Sequence, residues 1–379
     1  MNESLFQHHH YLNASWQTNR DGAKLKTAID QRLPVQLCET AQQRIMQWDQ
    51  YAATPLISLP DLAQQWNLAA LYCKDEGPRF GLGSFKALGG AYAVAEIAAS
   101  TTEDLIVACA TEGNHGRSVA WGAQRAGALC MIFLHEGVSA AREAAIAQYN
   151  AKIIRVPGNY DDAVRECARV SAENNWQIVS DTTWEGYQEI PKLVMAGYSV
   201  ISTEIKQVLT AAPTHIFLQG GVGGMAAAMI AGLTRNWPEA ELKFIIVEPR
   251  DAACLLASSQ AGGVYTPITG PFNTILAGLA CGEPSAAILD VIYLGADLLM
   301  AIDDEAIKAA MRLYAAPIAT DPAIVSGASG SAGLAALMVA LNSSTLRDAL
   351  DLNANSRVLL INTEKDTDPQ AYKEIIAGK

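Results

Sequence analysis

Lys86 is the residue of this sequence whose setting most clearly indicates chemistry. It follows the small-residue turn Gly83-Ser84-Phe85 and precedes the glycine pair Gly89-Gly90, and most of its other neighbours are apolar. We therefore predict that its amine, one turn into a helix, points into a pocket. Burial disfavours the charged form of an amine, which lowers its pKa and makes it a nucleophile towards carbonyl groups. The small residues would let a phosphorylated aldehyde approach closely. A structural lysine that extends its charge to solvent is the alternative.

A second polar turn, Thr111-Glu112-Gly113-Asn114-His115-Gly116-Arg117, follows an apolar run and opens a helix. This order places backbone N–H groups and the Asn114 amide at the carboxyl end of a strand, where ligands of open α/β sheets bind. Asn114 could equally cap the helix without any role in binding.

A glycine-rich loop repeats this arrangement at Leu218-Gln219-Gly220-Gly221-Val222-Gly223-Gly224-Met225. Such a loop before a helix cradles a phosphate with its N–H donors and the positive end of the helix. Its glycine spacing also fits the dinucleotide-binding fingerprint, and Glu248 ends the next strand, where a ribose-binding acid would lie. That second match is not specific, because glycine-rich turns between strand and helix are common.

Two further strand ends carry polar groups. The buried run Leu359-Leu360-Ile361 ends in Asn362-Thr363-Glu364, which delivers the Thr363 hydroxyl at the carboxyl end of a strand. The segment Asp181-Thr182-Thr183-Trp184-Glu185-Gly186-Tyr187 gathers acids and aromatic rings after another strand. Asp181 could be an ordinary turn residue, but its aromatic neighbours favour a place in a binding cleft.

Apolar strands alternate with segments of helical length along most of the chain. Continuous runs of Val, Ile and Leu joined by helices indicate parallel sheets that are buried on both faces. The fold class is therefore predicted to be α/β, doubly wound. The N-terminal 55 residues are predicted to form an irregular arm with one amphipathic helix, around Thr40 to Tyr51. The predicted strands are Leu71–Lys74, Leu105–Ala110, Leu129–Leu134, Lys152–Val156, Gln177–Ser180, Thr214–Leu218, Lys243–Val247 and Arg357–Ile361.

Composition excludes several classes of function. The chain of 379 residues has a net charge of −12, which disfavours nucleic acid and anionic membranes as main partners. No apolar run approaches the ~20 residues that a membrane span needs, and the N-terminus shows no signal-peptide pattern, so we expect a cytoplasmic protein. The seven cysteines lack metal-site spacing, and a terminal run of three histidines has no further ligand nearby, so we expect no metal site.

Taken together, these segments resemble the fold-type II pyridoxal-phosphate enzymes, and most closely the diaminopropionate ammonia-lyases. The resemblance runs from about Lys74 to the C-terminus. The motifs of the broad family are Ser84-Phe85-Lys86, Gly113-Asn114-His115-Gly116 and the Gly220–Gly224 loop. The narrower, lyase-like motifs are Phe80-Gly81-Leu82, Gly116-Arg117-x-Val119-Ala120-Trp121, Asp181-Thr-x-Trp184-Glu185-Gly186-Tyr187, Ala277-Gly278-Leu279-Ala280-Cys281-Gly282-Glu283-Pro284 and Thr363-Glu364-x-Asp366-Thr367-Asp368.

The resemblance implies an architecture and an assembly. It implies two open, mostly parallel sheets of the tryptophan synthase β type. Residues 1–104 and 196–379 would form a large cofactor-binding domain, and residues 105–195 a smaller, mobile one. A homodimer that acts on a small amino acid is also expected.

The resemblance also implies roles for individual residues. Lys86 would bind pyridoxal 5′-phosphate covalently, with Phe85 and Asn114 also contacting the cofactor. The segment from Gly220 to Met225 would bind its phosphate. Thr363 would meet the pyridine nitrogen, and because a hydroxyl cannot supply a full proton, the ring would stay largely neutral, which suits β-elimination.

The implied reaction is the elimination of ammonia from 2,3-diaminopropionate or a close β-substituted alanine, which yields a 2-oxo acid. Lys86 or a nearby carboxylate would remove the Cα proton. The β-ammonium group of the substrate needs a carboxylate to bind it, and Asp181 and Glu112 lie at the matching positions. Both are therefore predicted to be catalytic, with Asp181 assigned to substrate binding and to a second base.

Three positions depart from the lyase pattern. Glu112 stands where the lyases have aspartate, Ala328 where they have an acid, and Lys365 where they have glycine. All three could line the substrate side, so a serine/threonine-type dehydratase and a β-replacement enzyme stay open as alternatives. A nucleotide-binding or regulatory protein without catalysis is a further alternative, which the presence of Lys86 argues against. Cys254 and Cys281 flank these motifs and could either form a disulfide or remain free thiols.

Overall fold

The computed structural model describes residues 10–13, 21–111 and 113–378. It confirms the predicted α/β class, with two mostly parallel sheets and helices around them. The strands are β1 His10–Asn13, β2 Leu56–Ser58, β3 Ala70–Asp75, β4 Ile106–Ala110, β5 Leu129–His135, β6 Lys152–Val156, β7 Gln177–Ile178, β8 His215–Gln219, β9 Lys243–Pro249, β10 Leu298–Ile302 and β11 Arg357–Asn362.

Helices join almost all of these strands. They are α1 Gly22–Arg32, α2 Val35–Met46, α3 Pro60–Gln65, α4 Lys86–Ser100, α5 Asn114–Ala126, α6 Ala140–Ala147, α7 Tyr160–Asn174, α8 Glu189–Val208, α9 Gly224–Asn236, α10 Cys254–Gln260, α11 Leu289–Gly295, α12 Asp304–Ala315, α13 Ala328–Leu341, α14 Ser344–Leu350 and α15 Pro369–Ile376.

The chain divides into two compact units. The first comprises Met1–Pro34, Ala53–Pro78 and Ile201–Lys379, and the second comprises Val35–Ala52 and Arg79–Val200. The domain division at residues 104 and 195 stays a prediction. The boundaries of the compact units differ from that division, because α4 packs extensively on α5 and therefore belongs to the second unit.

The seven-stranded sheet belongs to the first unit and has the order β1-β10-β9-β8-β11-β3-β2. Its five inner strands run parallel, whereas β1 and β2 pair antiparallel at the edges. Strands β8 and β10 are buried at every residue, as expected for parallel strands covered on both faces. Phe217, Met300 and Leu360 point to one face and share a core with the apolar residues of α13.

The four-stranded sheet belongs to the second unit and has the order β6-β5-β4-β7, with all neighbours parallel. Its core includes Ala108, Phe133 and Val156 from the strands and Cys167 from α7. The polar turns that follow β4 and β7 lie at the carboxyl ends of adjacent parallel strands, and therefore at the same edge of this sheet.

Glycines in α4 allow this helix to lie unusually close to its neighbours in the second unit. A Cβ added at Gly89 would lie 2.5 Å from the Tyr198 ring of α8, and one added at Gly197 would lie 2.1 Å from the Leu88 carbonyl oxygen. On α5, a Cβ added at Gly122 would lie 2.6 Å from the Cα of Ala91. Real Cβ atoms do not approach other atoms so closely, so these crossings require glycine.

The N-terminal prediction was partly wrong. Helix α1 forms where an irregular arm was expected, because the Asp21 carboxylate accepts the N–H groups of Ala23 and Lys24, both at 3.1 Å, and so caps its first turn. The amphipathic helix that was predicted around Thr40 to Tyr51 begins and ends earlier, as α2. Strands β1, β2 and β10 were not predicted, although β10 is a continuous apolar run of five residues.

Within the ranges that the structure describes, no helix combines the length and the apolar character needed to cross a bilayer. Those residues also contain no group of three or more His, Cys, Asp or Glu side chains placed to hold a metal ion.

Candidate functional site

Lys86 is the first residue of α4, rather than lying a turn inside the helix as predicted. The Ser84 hydroxyl accepts the Lys86 N–H at 3.2 Å, while the Ser118 hydroxyl donates to the Lys86 carbonyl oxygen at 2.6 Å. Ser118 also accepts the Ala91 N–H at 2.9 Å, so this one residue of α5 fixes the first turn of α4. The Lys86 ammonium lies 5.4 Å from the centre of the Phe85 ring, and its side chain is 19% exposed.

The structure brings Lys86 and Asp181, both predicted to be catalytic, into direct contact. The Lys86 ammonium donates a hydrogen bond to the Asp181 carboxylate, which is itself only 15% exposed. Burial alone would raise the pKa of Asp181, but the Lys86 ammonium outweighs burial and holds this pKa well below its ordinary value. Asp181 is therefore a carboxylate at any pH at which the protein would work.

His115 faces the same Asp181 oxygen, Oδ2, that Lys86 contacts. Its Nε2–H donates to the Val179 carbonyl oxygen at 3.0 Å, which leaves Nδ1 facing Asp181 Oδ2 at 3.8 Å. Burial lowers the pKa of His115 more than the nearby carboxylate raises it, so the imidazole is neutral. In the second unit, a cation and a neutral imidazole thus face the same carboxylate oxygen.

Tyr187 fixes the turn that carries Asp181. Its hydroxyl donates to the Ile178 carbonyl oxygen at 3.0 Å and accepts the Ser180 N–H at 2.9 Å, which ties the turn to the end of β7. The Trp184 indole stacks on the Tyr187 ring with centroids 4.0 Å apart, and Trp184 is 40% exposed. The segment from Asp181 to Tyr187 therefore combines a Tyr187 hydroxyl that is hydrogen-bonded to the backbone with an exposed aromatic surface at Trp184.

Thr111 organises the turn between β4 and α5. Its hydroxyl accepts the N–H groups of Gly113 and Gly116, both at 3.1 Å, so it caps the first turn of the helix. Asn114 is the first helical residue, and Gly113 occupies the N-cap position, so the capping alternative for the Asn114 side chain is wrong. Glu112, predicted to be catalytic, lies outside the described residues. Sequence reasoning missed Thr111 and Ser118, although a hydroxyl beside a glycine-rich helix start is a signal for such a cap.

Two lyase-like motifs contact each other in the second unit. The Phe80 ring packs on the Trp121 ring with centroids 5.0 Å apart, and Arg117 Nη1 donates to the Leu82 carbonyl oxygen at 2.8 Å. Phe80 adopts a left-handed backbone conformation, with φ of +50°, which a bulky residue rarely does. These motifs therefore shape the segment that leads into Lys86.

In the first unit, the glycine-rich loop ends β8 and opens α9. Gly223 occupies the N-cap position of α9 with φ of +96°, no side chain caps the helix, and its first turn contains no acid. A Cβ at Gly223 would lie 2.6 Å from the Ile288 side chain. Among the described residues, no side chain accepts a hydrogen bond from the first N–H groups of α9, and only glycine fits at the N-cap position, which suits an anion.

Thr363 lies just beyond β11, beside the start of α13, and is buried. The neighbouring Glu364 carboxylate accepts the Ser329 N–H at 3.1 Å and the Thr367 hydroxyl at 3.3 Å. Gln219 Nε2 donates to the carbonyl oxygens of Ile361, at 2.8 Å, and Gly330, at 3.2 Å. Gln219 thus connects the end of β8, which carries the glycine loop, to the segment of Thr363.

Two of the three residues that depart from the lyase pattern lie within the described residues. Ala328 is the first residue of α13 and lies next to Ser329, whereas Lys365 is exposed. Cys254 and Cys281 form no disulfide with each other in the structure, so the disulfide alternative is wrong.

The residues present fit the cofactor that the resemblance implies. A primary amine at a helix start, the uncapped glycine cradle of α9 and a buried hydroxyl at Thr363 supply a carbonyl nucleophile, a phosphate site and a partner for a ring nitrogen. The first group lies in the second unit, and the other two lie in the first.

Comparison with known proteins gives a consistent set of relatives. The family model described as "Pyridoxal-phosphate dependent enzyme" matches residues 48–364. The diaminopropionate ammonia-lyase of Escherichia coli (strain K12) is 37% identical over 349 residues, which cover 86% of this chain and 87% of the relative.

Solved structures of the Escherichia coli enzyme are also similar. Its selenomethionine-containing holo form has a TM-score of 0.85 at 35% identity, covering 90% of this chain and 91% of that one. Its complex with an aminoacrylate-PLP azomethine reaction intermediate has a TM-score of 0.84 at 36% identity, covering 90% and 92%.

Proposed function

Because this chain belongs to the family of pyridoxal-phosphate-dependent enzymes, we propose that it is an ammonia-lyase acting on 2,3-diaminopropionate. The family resemblance, the fold class and the cofactor inferred from the sequence are confirmed by these relatives. In the proposed reaction, one diaminopropionate and one water give one pyruvate and two molecules of ammonia.

The contact between Asp181 and Lys86 is the observation that carries this proposal over its alternatives. An amine leaving group arrives as a β-ammonium ion, and a buried carboxylate beside the reactive lysine is suited to bind it. A dehydratase, whose leaving group is hydroxide, does not need a carboxylate at this place.

Three groups of the protein would bind the cofactor. The start of α9 would hold the phosphate of the cofactor, Thr363 would meet its ring nitrogen, and Lys86 would bind its aldehyde carbon. When bound, pyridoxal phosphate withdraws electrons from the Cα atom of the attached amino acid, which makes the Cα proton acidic. The substrate amine would displace Lys86 from the aldehyde carbon, and the freed Lys86 amine would then accept the Cα proton, while the Asp181 carboxylate would hold the β-ammonium group until it leaves as ammonia.

The neutral imidazole of His115 supports this arrangement. It adds no second positive charge beside Asp181, so the carboxylate remains available for the cationic group of the substrate. A homodimer, which the family resemblance implies, and a cytoplasmic location, which the sequence suggests, belong to the same proposal. Light scattering on the purified protein would test the homodimer.

A product assay with the purified, cofactor-loaded protein tests the function. The 2-oxo acid and the ammonia released are measured with D- and L-2,3-diaminopropionate, serine, threonine and β-substituted alanines. We expect kcat/KM to be at least about 100-fold higher for a diaminopropionate enantiomer than for serine. Ammonia and pyruvate should form in a ratio of two to one. Faster turnover of serine or threonine, with a ratio of one to one, would establish the dehydratase instead.

Glu112 gives a prediction of its own, because it departs from the lyase pattern. Glutamate reaches ~1.5 Å further than aspartate, and a displacement of ~1 Å can change a rate about 100-fold. We therefore expect Glu112→Asp to raise kcat/KM for diaminopropionate. Glu103→Asp, at an exposed position before β4, is the matched control and should change nothing. A Glu112→Asp enzyme with unchanged or lower activity would show that Glu112 already suits the native substrate.

A further inference from the structure

Glu248 is a fully buried acid for which the proposed reaction has no use. It lies near the end of β9 and is 0% exposed. Its Oε1 accepts the N–H of Leu255 at 2.9 Å and its Oε2 accepts the N–H of Leu256 at 2.8 Å, both in the first turn of α10. The carboxyl group therefore cannot serve a ribose, and it instead joins β9 to α10.

The same carboxyl group lies against the first residue of the glycine-rich loop. The Gly220 N–H donates to the Val247 carbonyl oxygen at 2.8 Å, and a Cβ added at Gly220 would lie 2.6 Å from Glu248 Cγ. The Cys254 thiol donates to the Gly221 carbonyl oxygen at 3.6 Å. The first residues of the glycine-rich loop therefore contact Glu248 and Cys254, the first residue of α10.

Among the described residues, no cation pairs with Glu248. The flanking strands bring uncharged residues, Ala301 in register on β10 and Gln219 at the end of β8. The titratable group that faces it from α10 is Cys254, and Cys281 lies beyond that thiol. Burial strongly raises the pKa of Cys254, so the thiol stays neutral.

Burial also raises the pKa of Glu248 to about 8, against the partial opposition of the two N–H donors. Below that pH the carboxyl group is protonated and neutral. As the pH rises past it, the proton leaves to solvent and a negative charge appears directly behind Gly220.

We propose that Glu248 is a positioning residue of the Gly220–Gly224 loop, and that its ionisation weakens the binding of a dianionic phosphate there. A negative charge behind the loop opposes the charge of the phosphate in front of it, in a region from which water is excluded. By reciprocity, bound phosphate keeps Glu248 protonated. The inference rests on the proposed role of this loop as the phosphate site of the cofactor.

The test compares phosphate binding at two pH values in the full-length protein freed of cofactor. The ligand is pyridoxine 5′-phosphate, which has no aldehyde and so cannot bond to Lys86. Between about pH 7 and about pH 9.5, we expect its Kd to rise about tenfold more in the wild type than in Glu248→Gln, whose side chain has the same shape and does not titrate. Titration of the ligand itself is common to both proteins and cancels in the ratio. Glu241→Gln, an exposed acid just before β9, should follow the wild type.

Parallel pH profiles for the wild type and Glu248→Gln would overturn the proposal. If the glutamine variant does not fold, sulfate, a dianion throughout this range, is titrated against pyridoxine 5′-phosphate in the wild type alone. Its inhibition constant should then rise about tenfold, and a flat profile would overturn the proposal. Failure of the wild type to bind pyridoxine 5′-phosphate at either pH would also overturn it, whereas the identity of the amino-acid substrate does not affect these measurements.

Discussion

Replacing Lys86 with alanine should abolish the visible absorbance of the bound cofactor and lower kcat for elimination by about 10⁴-fold. This magnitude reflects the loss of a general base that is also the point of attachment of the cofactor. The fold should persist, because α4 keeps its contacts with α5 and α8 when the side chain is shortened. Absorbance spectra, single-turnover assays and circular dichroism of the purified variant give the three readouts.

Lys86→Arg separates charge from reactivity at the same position. Arginine keeps a positive charge beside Asp181, but it stays protonated and cannot act as a base or a nucleophile. It should be as inactive as alanine. A Lys86 variant that retained both the visible band and turnover would contradict the assignment of this residue as the attachment point.

Replacing Asp181 with asparagine should lower kcat/KM for diaminopropionate by about 100-fold or more. The carboxylate would no longer neutralise the β-ammonium group, and the amide could not accept a proton. Glu185→Gln, at an exposed position four residues further along the same turn, is the matched control and should retain activity.

The two enantiomers of the substrate distinguish the two roles proposed for Asp181. Lys86 can take a Cα proton from one face only, so a base on the opposite face is needed for the other enantiomer. If Asp181 is that base, kcat falls for one enantiomer alone. If it only binds the β-ammonium group, KM rises for both. A variant with wild-type kinetics on both enantiomers would show that Asp181 has neither role.

The parallel sheets could be predicted from the sequence because their strands are continuous apolar runs. Strand β6 was predicted with its observed bounds, and β4, β5, β9 and β11 were placed to within a residue or two at either end. Helix α1 and strand β1 could not be predicted in the same way. The first depends on a capping carboxylate at Asp21 in a polar segment, and the second pairs with β10, a partner almost 300 residues away.

The contacts of the candidate site were less predictable than its residues. Lys86 and Asp181 are 95 positions apart, so no local spacing indicates that they meet, and the resemblance gave both residues catalytic roles without predicting their contact. The role of Ser118 depends on the crossing of α4 and α5, which is set by glycines in both helices. Glu248 fitted a ribose-binding pattern by its place after a strand, but its burial under α10 depends on the path of the chain beyond β9.

The close crossings of α4 at Gly89, Gly197 and Gly122 fix the backbone of the reactive lysine and leave its side chain as the part that can move. Since the helix backbone lies directly against α5 and α8, it cannot slide or rotate to follow a reacting atom. The Lys86 amine can therefore change position only by rotation about the bonds of its own side chain. Any proton that this amine accepts must therefore lie within reach of the Lys86 side chain. A different substrate has to be bound so that its proton lies there, because the backbone of the lysine does not move to meet it.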